Sequence, residues 1–294
     1  MPDSWTARRS VRELDAAGIA GPALRASYEE CRRLNARHGR TYYLATLLLP
    51  SHKRPAVHAL YGFARYADEI VDDLERPLPP PEAAARLDAL ERDLHHPRVD
   101  EPPVLQAFRD THERYEIAYE HTATFLASMR TDLSATTFTA AELDAYMAGS
   151  AGAIALQMLP VLGYTGPYEV VAPYAMDLAV AFQLTNFVRD VDEDARRGRR
   201  YLDDPRAAAG RARRLYRSAE QGIRLLDPTS RDCVRTAAVL YERILDEVER
   251  RGFDTRERAT VGRGRRLMVA VPAAARAIRA RRGAPTTPTS TASG

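Results

Sequence analysis

The chain is poor in lysine, in cysteine and in long apolar runs, and each shortage excludes something. Lys53 is the only lysine among 294 residues, whereas lysine and arginine together number 43, so the basic character is almost all arginine and reflects composition as much as function. The two cysteines, Cys31 and Cys233, lie too far apart for a metal-ligand spacing and imply no disulfide framework; the expected setting is reduced and cytoplasmic. No run of about 18 apolar residues occurs, and the opening MPDSWTARRSVREL lacks the apolar core of a signal peptide. A chain that does not span a membrane is therefore expected. Neither a zinc finger nor an aromatic RNA-binding signature is present, so nucleic acid has no support as a partner.

What is present is helical. Hydrophobic residues make up 45% of the chain, enough to build a core at this length. Apolar positions recur at i, i+3 and i+4 near 22–37, 41–49, 54–74, 81–95, 102–115, 118–133, 139–163, 168–197, 205–226, 229–252 and 256–282. The turn signals PLPPPE, HHPRVDEPP, GYTGPYE and LDPTS stand between them. No convincing strand and no linker-like change of composition interrupts the pattern. The reading is one all-α domain of roughly ten helices over 21–282, after an extension at 1–20. The closing GAPTTPTSTASG, 283–294, is small, polar and proline-containing, and reads as a disordered tail.

Two helices carry candidate chemistry. In YGFARYADEIVDD, 61–73, the residues Tyr61, Arg65, Asp68 and Asp72 fall at offsets 0, 4, 7 and 11. That is one helix face, because eleven residues at about 100° each return to within roughly 20° of the start. Leu60, Ala64, Ala67 and Val71 form the neighbouring packing stripe. In QLTNFVRDVDEDARRGRRYLD, Gln183, Asn186, Asp190 and Asp194 fall at offsets 0, 3, 7 and 11, beside a stripe of Val180, Leu184, Phe187 and Val191.

Solvated charged faces would explain a lone Asp-x-x-x-Asp in a chain that is 28% charged. Asp192 and Glu193 suit that explanation, since Arg196 and Arg197 stand four residues on as ion-pair partners. Asp190 and Asp194 have no such i+4 partner. Asp68 and Asp72 face each other, which costs a few tenths of a kcal/mol unless a cation intervenes. Mg²⁺, with Mn²⁺ as the alternative, would supply the charge: it takes oxygen ligands from one or two carboxylates and leaves other positions to water and substrate phosphate. Two such clusters on one cavity would bind a diphosphate. Nearby, TYYLATLLLP and YMAGSAGAIALQMLPVLG are apolar helices interrupted by Gly149, Ser150, Ala151, Gly152, Ala153 and Ala155. Close helix packing and room for an isoprenoid chain both explain these small residues, and beside the paired acids the cavity is the better account.

Charge is uneven. The net value is +3, yet 250–282 holds eleven arginines against Asp254 and Glu257. A solvated basic face, or contact with an anionic membrane surface or a diphosphate, accounts for this.

LYGFARYADEIVDD and AFQLTNFVRDVDEDARRGRRYL resemble the two Asp-rich signatures of the squalene/phytoene synthase family, over about 38–271. Within it, YMAGSAGAIALQMLPVLG, AEQGIRLLDPTSRDCVRTA and LYERILDEVERRGFD are most similar to the bacterial phytoene synthases. The resemblance implies an all-α isoprenoid-synthase fold with a central cavity. It also implies head-to-head condensation of two geranylgeranyl diphosphates through a cyclopropyl diphosphate to phytoene. By position, Asp68, Asp72, Asp190 and Asp194 would be the Mg²⁺ ligands. Arg65, Arg189 and Arg258 would bind diphosphate; Thr41, Tyr42, Tyr61, Gln183 and Asn186 would contact substrate. Tyr146 and Tyr241 would be cavity tyrosines, with Tyr146 or released diphosphate as proton acceptor. In the squalene branch NADPH delivers hydride; none is expected here.

Departures from the family pattern lie near the site: Glu69 where Asp is frequent, Asp192 where Gly is frequent, Asp203 where Pro is expected, and GSAGAIA without an acidic residue or the later glycine. They keep open a squalene or presqualene diphosphate synthase using farnesyl diphosphate, a terpene cyclase of this type, and a non-catalytic prenyl-lipid binder. A long hydrocarbon product also implies peripheral contact with a membrane.

Overall fold

The computed structural model describes residues 4–72, 78–98 and 100–283. Asp73, at the end of the first motif, and all of the tail but Gly283 lie outside them. The helices are α1 (Ser4–Ala16), α2 (Pro22–His38), α3 (Arg40–Thr46), α4 (Arg54–Asp72), α5 (Pro80–His95), α6 (Pro103–Arg114), α7 (Tyr119–Thr131), α8 (Ala140–Met147), α9 (Ala153–Leu162), α10 (Tyr168–Arg196), α11 (Pro205–Leu225), α12 (Pro228–Arg250) and α13 (Arg263–Gly283). No strand occurs among the described residues, only the isolated bridges Thr137–Arg200 and Tyr164–Leu226.

Local chemistry sets the helix starts. Prolines open α2, α5, α6, α11 and α12, where a missing N–H costs nothing, and those of α5, α6 and α12 stand in the turn signals PLPPPE, HHPRVDEPP and LDPTS. Asp204 and Asp227 cap α11 and α12 by accepting backbone N–H bonds, and Thr139 forms a capping box with Glu142. The expected helix over 139–163 is broken by a π-helical turn, Ala148–Gly152, between α8 and α9. Likewise 256–282 is helical only from Arg263: a left-handed Gly252–Phe253 pair (φ 65° and 68°) ends α12, and an irregular segment follows.

Two main hydrophobic clusters flank the centre. One gathers α3, α4, α6, α7 and α9 around the stacked Phe63 and Phe108 rings, centroids 3.8 Å apart. The other gathers α8, α10, α11 and α12 around Leu184, Leu240 and Leu245. Ala140–Leu162 is apolar and long enough to cross a membrane, with mean hydropathy 1.4, but here it forms α8, the π-turn and α9, which pack within the bundle. Both accounts of its small residues hold. A Cβ on Gly149 would come within 2.8 Å of the Ser128 Cβ, and one on Gly152 within 2.5 Å of the Met176 methyl, so these two serve close packing. Ser150, Ala151 and Ala155 instead line the central chamber.

Buried cations tie the periphery to this frame. Arg54 donates to Glu13 of α1 at 2.6 Å and to the Leu49 and Leu47 carbonyls at 2.8 and 2.7 Å. Lys53 donates to the Leu162 carbonyl at 2.6 Å and to Ser230 Oγ at 3.0 Å, joining the end of α9 to the start of α12.

His58 of α4 is buried beside Asn35, its Nδ1 3.0 Å from Asn35 Nδ2. Burial, with Arg32, Arg54 and Arg9 adding, lowers its pKa from 6.5 to about 3. The unfolded chain therefore binds the extra proton between those values, and stability falls as pH drops. Urea unfolding from pH 6 to pH 4 should show His58→Gln losing less stability per pH unit than the parent, by about 1.4 kcal/mol. Parallel slopes would mean that His58 is not held neutral.

Candidate active site

Between the two clusters lies a chamber of about 350 Å³. Helix α10 runs along it from Asn186 to Val171, fifteen residues (186 minus 171) or about 22 Å of helix. Most of the wall is alanine, leucine and other apolar side chains, including Ala155, Ala175, Ala179, Phe182 and Ala237. Tyr42, Tyr61, Gln183 and Asn186 supply polar atoms toward the acidic end. Asn186 Oδ1 and Ser150 Oγ are buried without a hydrogen-bond partner, so the wall holds polar atoms that a ligand could satisfy.

The acids of the two motifs are mostly engaged by arginine. Arg65 donates to Asp68 at 2.6 Å and to Glu69 at 3.0 Å. Arg199, just past the second motif, grips Asp72 of the first at 2.8 and 3.0 Å, with Arg197 at 3.8 Å; this joins the motifs across 127 residues. Asp190 sits at a break in α10, with φ −107° and ψ 15°, and accepts from Arg189 at 2.8 Å and from Arg258 at 3.0 and 3.1 Å. Among the described residues Asp194 alone of the four has no ion pair. Burial and Asp190 push its carboxyl up to about 7; burial and Asp72 also raise Asp68, against Arg65.

The expected Asp192–Arg196 pair does not form. Arg196 donates to the Asp192 backbone carbonyl at 3.1 Å, while the Asp192 carboxylate accepts from Thr255 Oγ at 2.7 Å. The Asp192 N–H returns a bond to the same hydroxyl at 3.2 Å. Thr255 lies in the segment between α12 and α13 that carries Arg258, so this two-bond clasp holds the segment at the acidic end. The acid that departs from the family pattern thus has a structural role.

The tyrosines divide between two aromatic groups. Tyr42 stacks on Tyr241 (4.9 Å between centroids) and meets Phe182 edge-on, and burial keeps the Tyr42 and Tyr241 hydroxyls protonated. Tyr146 belongs to the other group, with Phe138, Phe187 and Tyr201, and does not line the chamber. Its hydroxyl donates to Asp132 at 2.7 Å. Burial raises the Asp132 carboxyl to about 6, with Asp72 and Asp68 adding, against Tyr146 and Arg199. Tyr61 borders the chamber; Thr41 is half-buried on α3 and does not.

Asp132 and Arg199 were not singled out from the sequence. Asp132 is a lone acid after α7 with no periodicity to mark it, whereas Arg199 stands in the conspicuous ARRGRRYL run. Among the described residues no three acidic, histidine or cysteine side chains converge as a cage. Paired carboxylates suit Mg²⁺ nonetheless, because it is commonly held by one or two of them with water and phosphate completing the shell. The hard-oxygen donors Asp68, Asp72, Asp190 and Asp194, and the unpartnered Asn186 Oδ1, fit such an ion.

A helical bundle around an apolar chamber with two Asp–Arg clusters at one end defines an all-α isoprenoid-synthase fold. Superposition agrees: a dehydrosqualene synthase matches with a TM-score of 0.75 over 86% of this chain and 96% of that one, at 22% identity. A squalene synthase from Alicyclobacillus acidocaldarius matches at 0.69 over 81% and 98%, at 25% identity. The family model described as squalene/phytoene synthase matches residues 35–204 and 205–265, and the chain belongs to that family. Its relatives include a phytoene synthase from Arthrospira platensis, 36% identical over 84% of this chain and 92% of that protein. A 15-cis-phytoene synthase from Synechococcus elongatus is 35% identical over 83% and 91%.

Proposed function

We propose that the chain is a prenyltransferase that joins two geranylgeranyl diphosphates head to head, through prephytoene diphosphate, to phytoene for carotenoid synthesis, with Mg²⁺ as cofactor. The observation that carries the reading is the placement of an apolar chamber directly beneath two arginine-paired aspartate clusters. Relatives named as phytoene synthases over most of the chain support the same substrate class.

When bound, Mg²⁺ supplies positive charge where diphosphate leaves. Arg65, Arg189, Arg199 and Arg258 would hold diphosphate oxygens, and their pairing with the motif acids supports that reading. The allylic cation left behind meets the double bond of the second chain and closes a cyclopropane with loss of a proton; a second ionisation and rearrangement then forms the central bond. The apolar wall keeps water from these cations, and Tyr42 and Phe182 offer ring faces to them. Tyr146 stands outside the chamber wall with its hydroxyl donated to Asp132, so released diphosphate at the acidic end is the acceptor of the final proton in this reading.

The test is incubation of the purified protein with geranylgeranyl diphosphate and Mg²⁺, without NADPH, followed by mass analysis of extracted hydrocarbon. A C40 hydrocarbon with phytoene's central triene is expected, and chelation of the metal should abolish it. Turnover of farnesyl diphosphate alone would reassign the chain to the squalene branch, and diphosphate release with a C20 product would make it a cyclase.

A further inference from the structure

Residues 251–262, between α12 and α13, form an irregular strap beside the acidic end. Apolar anchors hold both of its ends. Phe253 packs on the cluster of α8, α10, α11 and α12, with the Arg206 guanidinium 4.4 Å from its ring centre, and Ala259 and Val261 are buried in the same cluster. Between them Asp254, Arg256, Glu257 and Arg258 are exposed, and Thr255 is buried. Two rungs join this stretch to α10 at its break. Arg258 meets Asp190 in the first and Thr255 meets Asp192 in the second, so the segments run antiparallel, two residues forward on α10 (192 minus 190) against three back on the strap (258 minus 255).

The rungs differ in durability. The Arg258 side chain is 56% exposed, and an ion pair of that kind contributes little and weakens with salt. It also uses Asp190, one of the four motif acids that a ligand would engage. The Thr255 hydroxyl, by contrast, is buried, donates to the Asp192 carboxylate and accepts the Asp192 N–H, and Asp192 is not one of those four. The second rung therefore survives when the first opens. Arg251 adds an exposed bond to the Glu257 carbonyl at 3.2 Å.

We propose that Asp192 and Thr255 are positioning residues for diphosphate. Their clasp keeps the strap in place when Arg258 and Asp190 part, so that Arg258 stays within reach of a diphosphate at the acidic end instead of swinging into solvent. Neither residue touches the diphosphate, and their role rests on the diphosphate site proposed above. Asp192, the acid that departs from the family pattern, thus acts through an arginine sixty-six residues away (258 minus 192).

Thr255→Val keeps the shape of the side chain and removes both bonds. Amide hydrogen exchange across 253–260 should then rise about tenfold with circular dichroism unchanged. Affinity for inorganic diphosphate with Mg²⁺, read by calorimetry, should fall about tenfold. With geranylgeranyl diphosphate, KM should rise by a similar factor while kcat stays within about threefold. Thr255→Ser should restore the parent's values, and Asp192→Ala, which opens the clasp from the α10 side, should match Thr255→Val. In an Arg258→Ala background Thr255→Val should lower diphosphate affinity no further, because the clasp acts through that arginine. Unchanged exchange in Thr255→Val, or faster exchange with parental affinity, would overturn the assignment. So would an undiminished loss of affinity in the Arg258→Ala background. A parent that binds diphosphate but makes no C40 hydrocarbon would leave the positioning role standing and remove the functional reading.

Discussion

Asp194→Asn should melt higher than the parent and make C40 hydrocarbon roughly a thousandfold more slowly. The carboxylate is partly buried, has no ion pair and stands near Asp190, which is why its carboxyl is pushed up to about 7. Asparagine keeps the shape and removes the charge that the fold disfavours. A gain of about 1 kcal/mol is the expected scale, which at about 2.1 cal/mol/K of unfolding entropy per residue is roughly 1.5–2 °C in melting temperature for 294 residues. Charge retained at a net cost marks a residue kept for a ligand. Calorimetry supplies the second arm: Mg²⁺ with inorganic diphosphate should raise the parent's melting temperature and leave the variant's unmoved. A variant that melts lower and remains active would show that Asp194 is an ordinary surface acid.

Ala175→Phe should change which substrate is used, with little effect on the fold. Ala175 lines the chamber eight residues before Gln183 (183 minus 175), about 12 Å further from the acidic end along α10. A phenyl ring there fills space that is empty in the parent, so it avoids most of the about 1–3 kcal/mol that overpacking a filled core costs. It blocks the deep part of the groove, where Leu162, Val171 and Leu226 close the wall, and leaves the diphosphate end unaltered. Use of geranylgeranyl diphosphate should fall about a hundredfold relative to farnesyl diphosphate, roughly 3 kcal/mol in discrimination. Competition between the two substrates, read as product masses, measures that ratio directly. An unchanged ratio would place the chain elsewhere.

The helices and the two acidic faces were legible because both are periodic. Positions three, four, seven and eleven apart must share a face of a helix, and Tyr61, Arg65, Asp68 and Asp72 do lie on α4. Side-chain partners were less legible. The i+4 rule held for Glu193, which pairs with Arg197 at 2.5 Å, and failed for Asp192, two residues past the break in α10 at Asp190. Asp192 therefore turned to Thr255, sixty-three residues away, where the pattern put Arg196. Asp132 was invisible for a related reason: its meaning comes from Tyr146 and Arg199, which only the tertiary fold brings near. The small residues before α9 could not be sorted by type, since Gly152 and Ala151 differ in what faces them.

The single lysine has a practical consequence. Lys53 is buried, and its Nζ holds the Leu162 carbonyl at the closed end of the chamber. No other side chain in the protein carries a primary amine. Nζ is engaged by the Leu162 carbonyl and Ser230 Oγ where α9 meets α12, so the rate at which an acylating reagent modifies this one atom reports how often that junction loosens.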